Sequence, residues 1–435
     1  MSARTKWNLV QGLAVVACLA AAWGPAGAET VATVAIVGAT VHTMGSAGTL
    51  QDATVLIADG RIRAVGRGIP VPAGARTIDA HGKVVTPGLF ASMSQVGLVD
   101  VYAVAGSRDG SVQNDRITAA FDVADAFNPR SMLLPINRVE GVTRAMLTPL
   151  PGKSLIAGRG AVIHLGVGPD LLVRSPVAMV ATLGEEGARL AGGSRAAAMH
   201  LLREALDDAL DYAAHKEAWE RAERRSYTLS RLDLEALVPV ARGELPLVVL
   251  VERASDIEAV LRLARERHLK LILAGGAEAW VVADQIAAAK VPVVINPLVD
   301  RPDNFQQLGA TLENAARLYR AGVTVAFFEG DADNERNLRQ LAGNAVANGL
   351  PWDEALRAIT LNPARIWHVD DRLGSLEPGK EADLVIWDGD PLEVTSGAER
   401  VFIRGVEMSR KTRQTELLER YLNLGGVLPK AYGKP

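Results

Sequence analysis

Between residues 247 and 328 the chain alternates short apolar runs with longer amphipathic stretches, and this constrains the fold most. The runs 247–251, 269–273, 291–295 and 323–328 are rich in Val, Ile and Leu, as buried strands are. Stretches 256–267, 277–289 and 312–321 lie between them with apolar residues at helical spacing. Strand–helix repetition of this kind predicts a parallel sheet, because parallel neighbours need a crossover connection. A further buried run, 141–147, stands upstream. In 435 residues there is room for a large barrel and a minor domain, so the count favours a barrel over an open sheet. Residues 105–175 are punctuated by Gly and Pro and read as an extended loop region that carries the second strand over the barrel mouth. Residues 194–227 read as one long charged helix, with Leu201, Leu202, Ala205, Leu206 and Leu210 on its apolar side.

The two ends have a different texture. Short β-runs at 35–37, 54–57, 61–65 and 83–85 precede the barrel pattern, and runs at 384–387 and 401–403 follow it. Asp59-Gly60 predicts a two-residue hairpin turn, since Gly supplies the positive φ that such a turn demands. Neither β-rich end is long enough to bury a core alone, so pairing of the two is the economical solution. Residues 411–435 form a tail, amphipathic around Leu417, Leu418, Tyr421 and Leu422. Such a face allows a homodimer contact.

Three blocks carry a resemblance. Thr86-Pro87-Gly88-Leu89 ends a β-run at a Pro-Gly turn and leads into a second apolar run. Residues 356–365 (Leu-Arg-Ala-Ile-Thr-Leu-Asn-Pro-Ala-Arg) and 373–385 (from Leu373-Gly374-Ser375 to Asp383-Leu384-Val385) form the other two. Together they resemble the amidohydrolase superfamily in its imidazolonepropionase-like branch. The resemblance implies an α/β fold: a distorted TIM-type (β/α)8 barrel plus a small composite β-sandwich built from N- and C-terminal segments. The divisions it suggests are 29–85 and 372–410 for the sandwich and 86–371 for the barrel.

That resemblance also implies a site. Hydrolases of the family hold one or two divalent ions at the C-terminal mouth of the barrel. His-x-His comes from strand 1, further His from strands 5 and 6, and Asp from strand 8. Aligned on residues 86–89, this chain places Met93 and Gln95 at the strand 1 pair. Glu252 stands at strand 5 and Gly275 at strand 6. Asp331 is the counterpart of the catalytic aspartate, with Glu329 as the alternative if the alignment slips. A thioether and a neutral amide are poor substitutes for imidazole on zinc. Glu252, Glu329 and Asp331 remain as candidate oxygen ligands for a hard cation such as Mg²⁺ or Ca²⁺. The family default is a divalent metal, yet with every imidazole replaced no cofactor is expected.

The seven histidines (His42, His81, His164, His200, His215, His268 and His368) form no ligand spacing. Ser92 and Ser94 lie at the mouth, and Ser94 with Asp331 is a candidate metal-free nucleophile and base. The functions left open are several. One is a hydrolase of non-peptide C–N bonds, degenerate through loss of its ligands. Others are a metal-free or carboxylate-metal hydrolase of a small amide-type substrate, and a non-catalytic subunit pairing with an active paralogue. Each takes a small-molecule ligand or a protein partner. Net charge −3 and 5% aromatics exclude a nucleic-acid surface.

Residues 1–28 read as a secretory signal: Arg4 and Lys6, an apolar run 9–22, then Ala26-Gly27-Ala28. Cleavage after Ala28 predicts a periplasmic or secreted protein. Val15-Val16-Ala17-Cys18 leaves a lipoprotein anchored through Cys18, the single cysteine, as the second route.

Overall fold

A computed structural model describes residues 33–422. Its first strands are β1 (Val34–His42), β2 (Thr49–Ala58), β3 (Arg61–Gly66), β4 (Arg76–Asp79) and β5 (Val84–Pro87). The barrel strands follow: β6 (Leu89–Ser94), β7 (Val142–Leu147), β8 (Ile156–His164) and β9 (Leu172–Thr182), then β10 (Leu247–Val251), β11 (Leu271–Gly275), β12 (Val293–Ile295) and β13 (Val325–Phe327). The chain closes with β14 (Leu384–Trp387), β15 (Ala398–Ile403) and β16 (Val406–Glu407).

The two ends do pair. One continuous eight-stranded sheet runs β16-β15-β14-β5-β1-β2-β3, with β4 beside β1. Its seam is β5 against β14, antiparallel, with Thr86 opposite Val385. The indole nitrogen of Trp387 donates to the Thr86 hydroxyl across that seam, at 2.9 Å. Asp59 and Gly60 both take positive φ, as the hairpin requires. Val34, Ile36, Val55, Ile57, Leu384, Ile386 and Phe402 share one buried face, a core of its own.

The second sheet runs β13-β12-β11-β10-β9-β8-β7-β6. β13 returns to lie beside β6, which nearly closes the barrel. Strands alternate their faces. Val248 belongs to the barrel interior with Phe90, Met93, Met146, Val180, Ile272, Val294 and Ala326. Leu247, Val249 and Val251 join the outer core with Ile257, Val260 and Leu263 of helix Ala254–Glu266. Each such fully buried side chain contributes about 1.5–3 kcal/mol relative to exposure.

Residues 105–175 differ from the loop expected of them. They contain all of β8 and the start of β9, and β8 runs antiparallel to both its neighbours. The physical reason is connection length. Residues 148–155 and 165–171 are too few for a crossover helix, which needs a dozen or more, so the chain makes hairpins there. The expected long helix 194–227 is likewise interrupted, as Arg195–Ala214 followed by the short Lys216–Glu220.

Gly88 is where the chain passes from sheet to barrel. Its N–H donates to the Asp383 carbonyl at 3.0 Å. A Cβ on it would collide with the Thr143 side chain of β7. Gly88→Ala is therefore expected to cost about 1–3 kcal/mol through overpacking. Urea unfolding measures the loss, and Thr143→Ala in the same chain should recover part of it.

Candidate functional site

The C-terminal ends of the barrel strands carry Met93, Gln95, Glu252, Gly275, Glu329 and Asp331. β6 delivers Met93 and Gln95. Met93 is buried and packs with the apolar interior side chains that include Phe90, Met146 and Ile272. Gln95 is buried, and its amide nitrogen donates to the Thr148 carbonyl, which ties β6 to the loop after β7. Its Oε1 has no hydrogen-bond partner among the described residues.

Glu252 follows β10 and Gly275 ends β11, and the structure brings these two together. Oε2 of Glu252 accepts the Ala277 N–H at 2.8 Å. A Cβ on Gly275 would meet the Glu252 carboxylate, and Gly275 has a φ of +87°. So the carboxylate of strand 5 fills the space over the strand 6 position, which only glycine leaves open. Burial pushes the Glu252 carboxyl up, with the Ala277 N–H and the Gln307 amide opposing. Arg253 points elsewhere, donating to Asp256 at 2.9 Å.

Glu329 and Asp331 follow β13. The Asp331 N–H donates to Glu329 Oε2 at 3.1 Å. The Asp331 side chain is exposed, so it does not reach Ser94, and the expected nucleophile–base pair is not assembled. Glu329 is half-buried, and burial pushes its carboxyl up, as do Asp331 and Asp333, against the Asp331 N–H.

The residue that sequence reasoning missed is Glu335, in a single 3-10 turn Glu335–Asn337. It is 0% exposed, and neither carboxylate oxygen has a hydrogen bond of good geometry. Burial pushes its carboxyl well up. The Ser94 hydroxyl beside it acts in the opposite sense, and Glu329 and Asp331 add to the rise. Ser94 is itself buried, accepting the Val96 N–H at 3.1 Å, and Ser92 Oγ is buried without a partner. The only signal in the sequence was an acid-rich segment after strand 8, and nothing local marked Glu335 as the buried member.

The seven histidines lie elsewhere. His42 packs on Trp352 at 4.5 Å between ring centres, His81 pairs with Asp79, and His164 contacts the Asp170 carbonyl at 3.0 Å.

A profile of the amidohydrolase family matches residues 248–411. The crystal structure of an amidohydrolase from Thermotoga maritima superposes with a TM-score of 0.78 at 29% identity, covering 87% of this chain and all of that one. The chain belongs to the amidohydrolase superfamily. It is also 26% identical over 394 residues to Amidohydrolase tasK of Hapsidospora irregularis, which covers 81% of this chain but only 39% of that protein. N-acetylglucosamine-6-phosphate deacetylase of Haemophilus influenzae matches over 114 residues at 33% identity, 26% of either chain. This chain thus spans well under half the length of either of these two relatives.

Membership raises the question of the family's metal, and the residues present do not fit one. Met93 offers only a thioether, Gln95 only a neutral amide whose nitrogen is tied to the Thr148 carbonyl, and no side chain exists at Gly275. The candidate oxygen ligands are not gathered either. Glu252 is engaged at β10–β11, whereas Glu329 and Asp331 lie together after β13. Among the described residues no three His, Cys, Asp or Glu side chains converge on a point that could hold an ion.

Proposed function

We propose that this chain is an exported amidohydrolase-family protein that has lost metal-assisted hydrolysis of C–N bonds and acts as a non-catalytic ligand-binding or partner subunit. One observation carries the reading: Glu252 occupies the space above Gly275 while Met93 lies in the apolar interior. A zinc ion needs three protein ligands and an open position to lower the pKa of its water to about 7. Met93, Gln95 and Gly275 supply none of good quality. Ser94 does not replace that chemistry. Burial pushes the carboxyl of its acidic neighbour Glu335 well up, and a carboxyl takes a serine proton only in its ionised form.

Elemental analysis of the folded protein, after growth with added zinc and manganese, tests the proposal. The expected result is a substoichiometric metal content and no hydrolysis of cyclic or linear amides. About one tightly held ion per chain, lost in Asp331→Asn, overturns it. The export part of the reading rests on residues 1–28, outside the described residues. An amino terminus at Glu29 supports signal cleavage, and a lipidated Cys18 supports the anchored form.

A further inference from the structure

A cavity of about 480 Å³ opens at the end of the barrel opposite the mouth. Its walls come from residues that precede strands: Pro246 before β10, Lys270 before β11, Lys290 before β12 and Thr324 before β13. Arg365 and Ile366 of helix Leu361–Ile366 complete it. The floor is apolar and largely buried, with Leu271, Ile272, Val291 and Ile366 between 3% and 7% exposed. A second groove, beside helices Ala254–Glu266 and Ala283–Ala288, shares Leu269, Ala289 and Val291 with the first. The apolar floor therefore continues outward beyond the first cavity.

The charges around this floor are almost all of one sign. Lys270, Lys290 and Arg365 are exposed at the rim of the first cavity, and no acidic side chain lines it. Arg262 and Arg265 line the second groove with one acid, Glu258, which accepts the Gln285 amide at 2.7 Å. The side chains of Arg262, Arg265, Lys290 and Arg365 make no ion pair and no hydrogen bond among the described residues. Nearby cations behave otherwise: Arg253 pairs with Asp256, and Arg267 with Asp207. Four cations without acids set up a field that attracts an anion, while the floor between them gains from being covered by hydrocarbon. The volume lies in the range of small-molecule sites, roughly 300–1,000 Å³.

We propose that this face binds a free fatty carboxylate, its headgroup at Lys290 and Arg365 and its acyl chain along Leu269, Ala289 and Val291. Continuity of the two apolar floors favours a flexible chain over a compact anion. Guanidinium and ammonium groups supply the charge-assisted hydrogen bonds that a carboxylate accepts. Met93, Glu252 and Gly275 stand at the other end of the strands, so the site holds whether or not the mouth takes a metal.

Isothermal titration of the purified protein at neutral pH with monomeric dodecanoate, octanoate and dodecylammonium tests the site. Dodecanoate should bind about tenfold or more tightly than octanoate, because the longer chain covers more of the floor. Dodecylammonium should bind at least about tenfold more weakly than dodecanoate. Lys290→Gln combined with Arg365→Gln should weaken dodecanoate by about tenfold and keep the chain-length dependence. Ala289→Trp, which fills the junction of the two grooves, should weaken dodecanoate more than octanoate. These three positions are exposed, so the urea midpoint of each variant should match the wild type. No binding of dodecanoate, equal binding of dodecylammonium, or affinity unchanged in both variants overturns the proposal. Binding to phosphatidylglycerol vesicles with none to monomeric dodecanoate overturns it too, in favour of a membrane surface. If Ala289→Trp does not fold, the charge variant and the chain-length series still decide.

Discussion

Arg144→Met is expected to destabilise the protein by about 3–5 kcal/mol, the usual cost of leaving a buried charge without its partner. Arg144 is 2% exposed on β7, inside a barrel strand. Its Nε donates to Asp383 and its Nη2 to Glu381 at 2.6 Å, both buried just ahead of β14. The carboxylates have further work. Asp383 accepts the Arg404 N–H at 2.8 Å, and Glu381 accepts from Arg372 at 3.0 Å. The cluster therefore bolts barrel to sheet at the point where Gly88 also bonds Asp383. Urea unfolding at neutral pH measures the loss. Adding Glu381→Gln and Asp383→Asn to Arg144→Met should recover much of it, because the penalty lies in the orphaned charges. A single variant as stable as the wild type would refute this account of the interface.

The same cluster has a pH signature. Burial pushes the Glu381 carboxyl up, but Arg144 and Arg372 outweigh it and hold the carboxyl below its ordinary value. A depressed folded pKa contributes stability above the unfolded pKa and loses it as pH falls through the folded one. Wild-type stability should accordingly drop on acidification below the ordinary glutamate range. In Arg144→Met that contribution to the drop should shrink, since Glu381 then keeps only Arg372 against its burial.

The second large effect concerns the missing histidines. Restoring them as Met93→His with Gln95→His is expected to weaken the fold without creating a metal site. Placing an imidazole in the apolar cluster of Phe90, Met146 and Ile272 costs about 1–3 kcal/mol for the unpaired polar group. Gln95→His also breaks the bond to the Thr148 carbonyl. No ion should follow, because Glu252 still covers Gly275, where a third ligand has no side chain to stand on. Zinc content and urea midpoint of the double variant check both halves. One tightly bound zinc at unchanged stability would sink the idea that packing excludes the metal.

Much of the scaffold was legible in the residues. The runs near 247–328 became β10 to β13 with boundaries shifted by about two residues, the ordinary scale of such shifts. Asn362, in the block that carried the family resemblance, donates to the Val325 carbonyl at 2.8 Å and so holds the chain under β13. The site was legible only as a set of substitutions. That Met93 faces the interior follows from strand periodicity, but that Glu252 lies over Gly275 does not.

Local pattern by itself indicated many of the strands, where Asp59-Gly60 turns, and that the two β-rich ends pair, though it was read as a sandwich where the structure has one continuous sheet. Those features depend on periodicity and backbone preference within a few residues. Tertiary structure alone decided the rest. β8 runs backwards because two short connections forbid a crossover. Arg144 finds its acids 237 and 239 residues away. Glu335 is buried because Tyr102 and Asn137, 230 and 195 residues from Ala332, hold the loop above it. Burial and charge pairing are properties of space, and a carboxyl's protonation state follows from its neighbours there.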